Sequence, residues 1–349
     1  MEGAAICFSQ IEEFRVKDLF YDIINAGLWG DEGLSKGFSF SEHEADVLFE
    51  MGLLQAVGGL MVTGMDVCGV AIGGRKKERW ISTLLHIEEK NRKIESLAER
   101  IVSSLKAEGM KTEVFKGVSV AKWYRNPMVR SYGDIDVVIS EGFEKITDIL
   151  DKKRIPFRRD HQDIVCRIED IDVEFHPQRE YVYCPKDNRT LQQLVMDYPD
   201  SPEVYLACII VHLRRHMLTY GVGMKQTCDV AVMLRNAELN MDFMAEVIDR
   251  LHMERFCSAL FGFIKRRFRV ECFPIAPDCG NSSFFIEETV WRDGYILKMQ
   301  REDRSKGLPA LRRVAGNAWF WMKRCVRMSA VMSREAACFI PYMIKRRIS

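Results

Sequence analysis

At 349 residues, 47% hydrophobic and 29% charged, the chain has a soluble globular composition and the length for one large or two to three ordinary domains. Its net charge of +1 predicts neither a nucleic-acid partner nor a membrane, although residues 301–349 hold twelve Lys/Arg against three Asp/Glu, so the basic charge sits in a C-terminal tail. Eleven cysteines with no CxxC pair and no zinc-ligand spacing, in a chain too large to need disulfide staples, point to a reducing cytosol.

The N-terminal MEGAAICFSQ lacks a basic region followed by an apolar one, so no signal peptide is read. From about residue 10 to 108 the pattern is helical. Its most apolar stretch, Met51 to Met65, is uncharged, contains four glycines and falls short of the roughly 18 residues of a membrane span, which makes it a buried helix. Ile87, Ile94, Leu97, Ile101 and Leu105 recur at helical steps, and Gly109 stands where a helix end favours positive φ. A short strand over 111–116 follows, then Gly117 turns the chain into a helical run from Val118 to Tyr124. After Asn126-Pro127 come a strand at Ile135–Ile139 and a helix from about Phe143 to Lys153.

Asp163–Ile168 and Ile171–Phe175 read as strands joined at Glu169-Asp170 in a hairpin-like position. Beyond residue 190 the signal is helical again, with Ser201-Pro202 opening a long run, and Pro274, Pro277, Gly280 and Asn281 mark a composition break near 270–282. The expected fold class is α+β, mostly helical with a small mixed-sheet core. Its expected division is an N-terminal helical region 1–108, an α/β core 109–190, a helical region 191–270 and a basic C-terminal helical region 283–349.

Asp134 and Asp136 stand one residue apart in the strand, so both project to one face while Ile135 and Val137 point into the core. Two carboxylates in one small volume repel each other. A divalent cation is the simplest compensation, and hard oxygen ligands suit Mg²⁺. In the next acidic strand Asp172, Glu174 and His176 share a face, which offers Glu174 as a third carboxylate with Asp172 as its rival. An isolated D-x-D is ordinarily a half-exposed strand edge. Here Gly133 precedes it, a Lys-Gly turn lies upstream and a second acidic strand downstream.

His212 and His216 have a spacing that can bind zinc, but with no glutamate between them and no third ligand nearby they read as a polar stripe with Arg215. Lys225 and Asp229 read as a helix-surface pair. The run from Ala318 to Met328 mixes aromatic and basic residues: either Trp319, Phe320 and Met322 pack on the core with the cations in solvent, or the helix meets an anionic membrane or an acidic partner. GxGxxG and P-loop patterns are absent.

Val114-Phe115-Lys116-Gly117, Ala121, Tyr124, Arg130 and Gly133-Asp134-Ile135-Asp136-Val137 resemble the signature of the uncharacterised nucleotidyltransferase-like family, within the DNA polymerase β-type nucleotidyltransferase superfamily. Glu174-Phe175-His176 is similar to that family's D-L-H strand. His212, Arg214-Arg215-His216, Gly221, Gly223 and Lys225-Gln226-Thr227-Cys228-Asp229 resemble its helical segment, so the resemblance spans roughly residues 50 to 235.

The resemblance implies an Mg²⁺-dependent enzyme that transfers a nucleoside monophosphate from an NTP such as ATP to an acceptor, with pyrophosphate leaving, and the cysteine pattern makes it cytoplasmic. Carried over, Asp134, Asp136 and Glu174 are the catalytic residues and hold two Mg²⁺ ions, and Lys116, Gly117, Arg130, Gly133, His176 and Lys225 are nucleotide-binding. The superfamily's Gly-Ser turn is replaced by Lys116-Gly117. Phosphate binding then falls to the Gly117 N–H, the N-terminus of the helix after it and the Lys116 ammonium, with Ser119 a candidate for the missing hydroxyl. The acceptor class is left open among protein, RNA, sugar and small molecule. Two rivals stand: a non-catalytic nucleotide-binding module of the same fold, favoured by the altered turn, and a nucleotide-sugar glycosyltransferase whose D-x-D holds a metal–diphosphate. The latter expects a longer α/β half before the motif.

Overall fold

The computed structural model describes residues 10–30, 41–70, 73–219, 221–293 and 310–348; the N-terminal residues 1–9, where no signal peptide is read, lie outside them. The N-terminal part is helical: α1 (Gln10–Trp29), α2 (Glu42–Leu54), α3 (Gly58–Val67) and the long α4 (Gly74–Ala107). A capping box starts α2, with the Ser41 hydroxyl accepting from the Glu44 N–H and the Glu44 carboxylate from the Ser41 N–H. The stretch 51–65 is two helices rather than the one expected, because Ala56 takes φ 56° and ends the first. Its glycines serve a close crossing: a Cβ on Gly64 would fall 2.0 Å from the Ile23 carbonyl oxygen of α1. Gly109, at φ 75°, ends α4 as read.

A five-stranded sheet follows, in the order β1-β2-β5-β4-β3. Its strands are β1 (Lys111–Phe115), β2 (Ile135–Glu141), β3 (Phe157–Asp160), β4 (Asp163–Ile168) and β5 (Ile171–His176). Only β2 and β5 pair in parallel, the other neighbours being antiparallel. The sequence reading lacks β3, whose Arg158 and Arg159 are exposed on the sheet edge and carry no apolar alternation. The β4–β5 hairpin turns at Glu169-Asp170, both at positive φ, as the two-residue turn between twisted strands requires. Between β1 and β2 lies α5 (Gly117–Ala121), and between β2 and β3 lies α6 (Ile146–Lys152). One face of α4 (Ile94, Leu97, Leu105) packs on Ile135, Val137, Ile139 and Phe175 of the sheet.

The remainder is helical: α7 (Pro185–Asp197), α8 (Pro202–Leu218), α9 (Met224–Asn236), α10 (Met241–Arg250), α11 (Glu254–Phe268), α12 (Asn281–Asp293) and α13 (Ala310–Ile348). Ser201 caps α8 through the Val204 N–H, with Pro202 at the first turn. The N-terminal helices lean on α11 and α12. Asn25 Nδ2 donates to the Arg267 carbonyl at 2.7 Å, and Lys17 Nζ lies 3.2 Å from Glu287 Oε1.

Two expectations are corrected here. In α13 the buried face is Cys325, Met328, Val331, Ala336 and Phe339, while Trp319 and Met322 are exposed. Arg324, expected in solvent, is buried on the Met217 carbonyl and Asp293, because the inward stripe fixes the helix's rotation and carries that position inward. The cysteines also include a disulfide, Cys184–Cys338, which ties the start of α7 to α13 across 154 residues; eight cysteines are free among the described residues. A bridge closing so long a loop removes freedom from the unfolded chain. Reduction is therefore expected to lower stability by about 2–4 kcal/mol, measured as the urea midpoint with and without reductant. No described helix is long and apolar enough to cross a membrane.

Candidate active site

The site forms where the parallel strands meet. In their register Asp136 lies opposite Glu174 and Val138 opposite His176, so the period of two brings the acidic faces of β2 and β5 together. Ligand atoms of Asp136, Glu174 and His176 gather within 4.8 Å of one another, a set that fits a divalent cation. Asp134, just before β2, is not in that group and keeps a solvent-exposed side; its carboxyl is raised by partial desolvation first and by the Asp136 charge second. Asp172 is exposed and outside the group, so Glu174 is the carboxylate that joins Asp136 in it.

Asp136 is 6% exposed, and burial alone would raise its carboxyl. The Lys116 ammonium and the His176 ring instead hold it well below the usual carboxylate range. Both cations use one oxygen: Lys116 Nζ and His176 Nε2 each lie 2.9 Å from Asp136 Oδ1. The other ring nitrogen, His176 Nδ1, meets Asp163 Oδ1 at 2.9 Å. Burial disfavours the imidazolium, but the hydrogen bonds to Asp136 and Asp163 outweigh it and push His176 up to about 9. The stabilisation this gives the fold is complete below about 6.5 and is lost as pH rises through about 9.

Glu174 is pushed up to about 7, by burial first and then by the charges of Asp136 and Asp134. A metal ion must displace that proton. Mn²⁺ affinity measured without nucleotide is therefore expected to rise steeply with pH up to neutrality, where Glu174 has lost its proton, and to go on rising about tenfold per unit to about 9, where His176 of the same group has lost its own. Glu174→Gln should bind Mn²⁺ weakly and with no inflection near 7. An unchanged slope in that variant would assign the proton to another group.

Lys116 occupies φ 58°, ψ −131°, a conformation that costs a non-glycine residue about 1–3 kcal/mol. The Tyr205 hydroxyl of α8 accepts its N–H at 3.0 Å, and Asp136 holds its ammonium. The helix after it, α5, is only five residues long, so its dipole adds little, and Ser119 Oγ is spent on the Val114 carbonyl at 2.5 Å. Side-chain cations are the stronger anion donors here. Arg130 is 5% exposed and bidentate to Asp229 through Nε and Nη2, both at 2.7 Å. Its Nη1 has no hydrogen-bond partner and lies where a Cβ on Gly117 would be 3.6 Å away. Lys225 Nζ would lie 3.9 Å from a Cβ on Gly133, and its ammonium is destabilised by burial first and by Arg130 second.

Asp229 is therefore no surface partner of Lys225. It is buried, takes Arg130 and accepts from Tyr124 Oη at 2.7 Å. His212 and Arg215 converge on Glu180, a carboxylate only 3% exposed; His212 Nδ1 is 2.8 Å from Glu180 Oε2. Burial first, then the Lys116 charge, pushes His212 well down. Asp163 and Glu180 escaped the sequence reading. Asp163 is the first residue of a strand in no motif, and Glu180 lies in an irregular segment after β5; pairing with His176 and Arg215 is visible only in three dimensions.

Residues 70–269, more than half of the chain, match a family model described as uncharacterised nucleotidyltransferase. No curated protein and no solved structure matches the chain.

Proposed function

For this chain, which belongs to the uncharacterised nucleotidyltransferase family, we propose Mg²⁺-dependent transfer of a nucleoside monophosphate from an NTP to an acceptor hydroxyl. The observation that carries the reading is the parallel register of Asp136 and Glu174, with the unpartnered Arg130 Nη1 and Lys225 Nζ close by. Asp134, Asp136 and Glu174 would hold Mg²⁺, which when bound neutralises charge on the triphosphate and lowers the pKa of the acceptor oxygen. Arg130, fixed by Asp229, and Lys225 orient the phosphates, and the small Gly117 and Gly133 leave room for their approach. The acceptor oxygen bonds to the α-phosphorus and the α–β phosphoanhydride bond breaks. Pyrophosphate leaves with the bonding electrons, and the acceptor proton passes to solvent at the open side of the site.

Titration calorimetry of ATP, GTP, CTP and UTP with Mg²⁺, together with transfer of label from α-³²P-NTP in lysate, tests this. Absence of metal-dependent NTP binding would refute it. The seat of Lys116 on Asp136 favours one second reading, a nucleotide-binding module without turnover, which predicts binding and no transfer of label. The glycosyltransferase reading loses its support, since helices α1 to α4 precede β1 where it needs a nucleotide-binding α/β half.

We propose a cytoplasmic location, because eight cysteines among the described residues are free against the one Cys184–Cys338 bridge, and an α/β core within 109–190. The exposed Trp319, Met322 and Val326 of α13, with exposed Lys323 and Arg327 among them, form the face suited to an anionic membrane. Co-sedimentation with phosphatidylserine vesicles, lost in Trp319→Ala/Met322→Ala, is the expected result. Equal sedimentation of the variant would remove this face as the contact.

A further inference from the structure

Asp136 belongs to the metal-ligand group, and its Oδ1 is already shared by two cations, Lys116 Nζ and His176 Nε2, each at 2.9 Å. His176 keeps a second carboxylate, Asp163, if it yields that oxygen. Lys116 also has a second carboxylate within reach. Glu180 Oε2 is 3.9 Å from its ammonium, on a side chain 1% exposed and held by His212 and Arg215. The backbone at Lys116 is anchored, with positive φ and its amide on Tyr205, so the side chain starts from a fixed point and its flexible stem spans both seats. An ammonium and a divalent ion on one buried carboxylate repel strongly, because little solvent separates them.

We propose that Lys116 is a resident cation that occupies the metal seat of the nucleotide-free protein, with Glu180 as its alternative seat. Metal entry is then coupled to the departure of Lys116 from Asp136 toward Glu180 and the incoming phosphates. The inference rests on the nucleotidyltransferase reading and adds to it a positive coupling between metal and nucleotide, assigned to one side chain. Metal alone meets a filled seat. A bound triphosphate attracts the ammonium away and opens it.

The test titrates Mn²⁺ into the full chain, reading free Mn²⁺ by electron paramagnetic resonance, with and without an α,β-methylene ATP analogue. The variants are Lys116→Met, Lys116→Arg and Glu180→Gln, each checked for folding by circular dichroism. Lys116→Met is expected to bind Mn²⁺ alone at least about tenfold tighter than wild type and to lose most of the coupling to nucleotide. Lys116→Arg, which keeps the charge, should retain wild-type behaviour, and a folded Glu180→Gln should bind Mn²⁺ more weakly. If wild type binds Mn²⁺ and Lys116→Met binds it no tighter, the resident-cation inference is overturned and the nucleotidyltransferase reading stands. If neither protein binds Mn²⁺ with or without the analogue, both are overturned.

Discussion

On the proposed function, Asp136→Ala is expected to lower the rate of nucleotide transfer by at least about a thousandfold while the protein still folds. The magnitude follows from the loss of the central metal carboxylate, since metal stabilisation of charge in such sites amounts to several kcal/mol and each 1.4 kcal/mol is about tenfold. The stability cost is smaller than for an ordinary broken buried pair. His176 keeps Asp163 at 2.9 Å and Lys116 has Glu180 at 3.9 Å, so neither cation is left without a carboxylate. We expect a loss of about 1–3 kcal/mol by urea denaturation at neutral pH. The depressed Asp136 carboxyl contributes above the usual aspartate range, so the difference from wild type should vanish only as pH falls well below 4. Retention of metal-dependent transfer in Asp136→Ala would move the metal site elsewhere.

Arg130→Met is the variant with the largest expected effect on stability, about 3–5 kcal/mol. It leaves the buried Asp229 carboxylate with only the Tyr124 hydroxyl, after losing two hydrogen bonds of 2.7 Å. Arg130→Lys should recover little, because an ammonium cannot reproduce the two-point contact. Arg130→Met/Asp229→Leu removes both charges and should regain most of the stability without regaining NTP affinity. Comparing urea midpoints with calorimetric NTP affinity separates the roles. An arginine that serves the fold alone would leave the double variant binding NTP normally.

Much of the site is legible in the sequence because a strand's period of two is rigid: the acidic faces of β2 and β5 follow from alternation, and the register Asp136↔Glu174 joins them. The hairpin at Glu169-Asp170, the Ser201 cap and the Gly109 stop rest on equally local chemistry. What escapes is set by long-range contact. Nothing near Asp229 marks it as the anchor of an arginine 99 residues away. The pattern of α13 marks an amphipathic helix yet leaves undecided which aromatic residues face inward, since the consecutive Trp319, Phe320 and Trp321 lie about 100° apart around the helix and point to different sides. The disulfide is invisible for the same reason, its cysteines lying in no spacing motif.

The one parallel pairing of the sheet governs when the site comes into being during folding. The hairpins β3–β4 and β4–β5 close over a few residues, whereas β2 meets β5 only after the chain has traversed α6, β3 and β4. Pairings of long sequence separation wait for the loop between them to be ordered. A nascent or partly folded chain can thus possess both hairpins and still lack the apposition of Asp136 and Glu174, so that capture of a metal ion marks the closing of the central sheet.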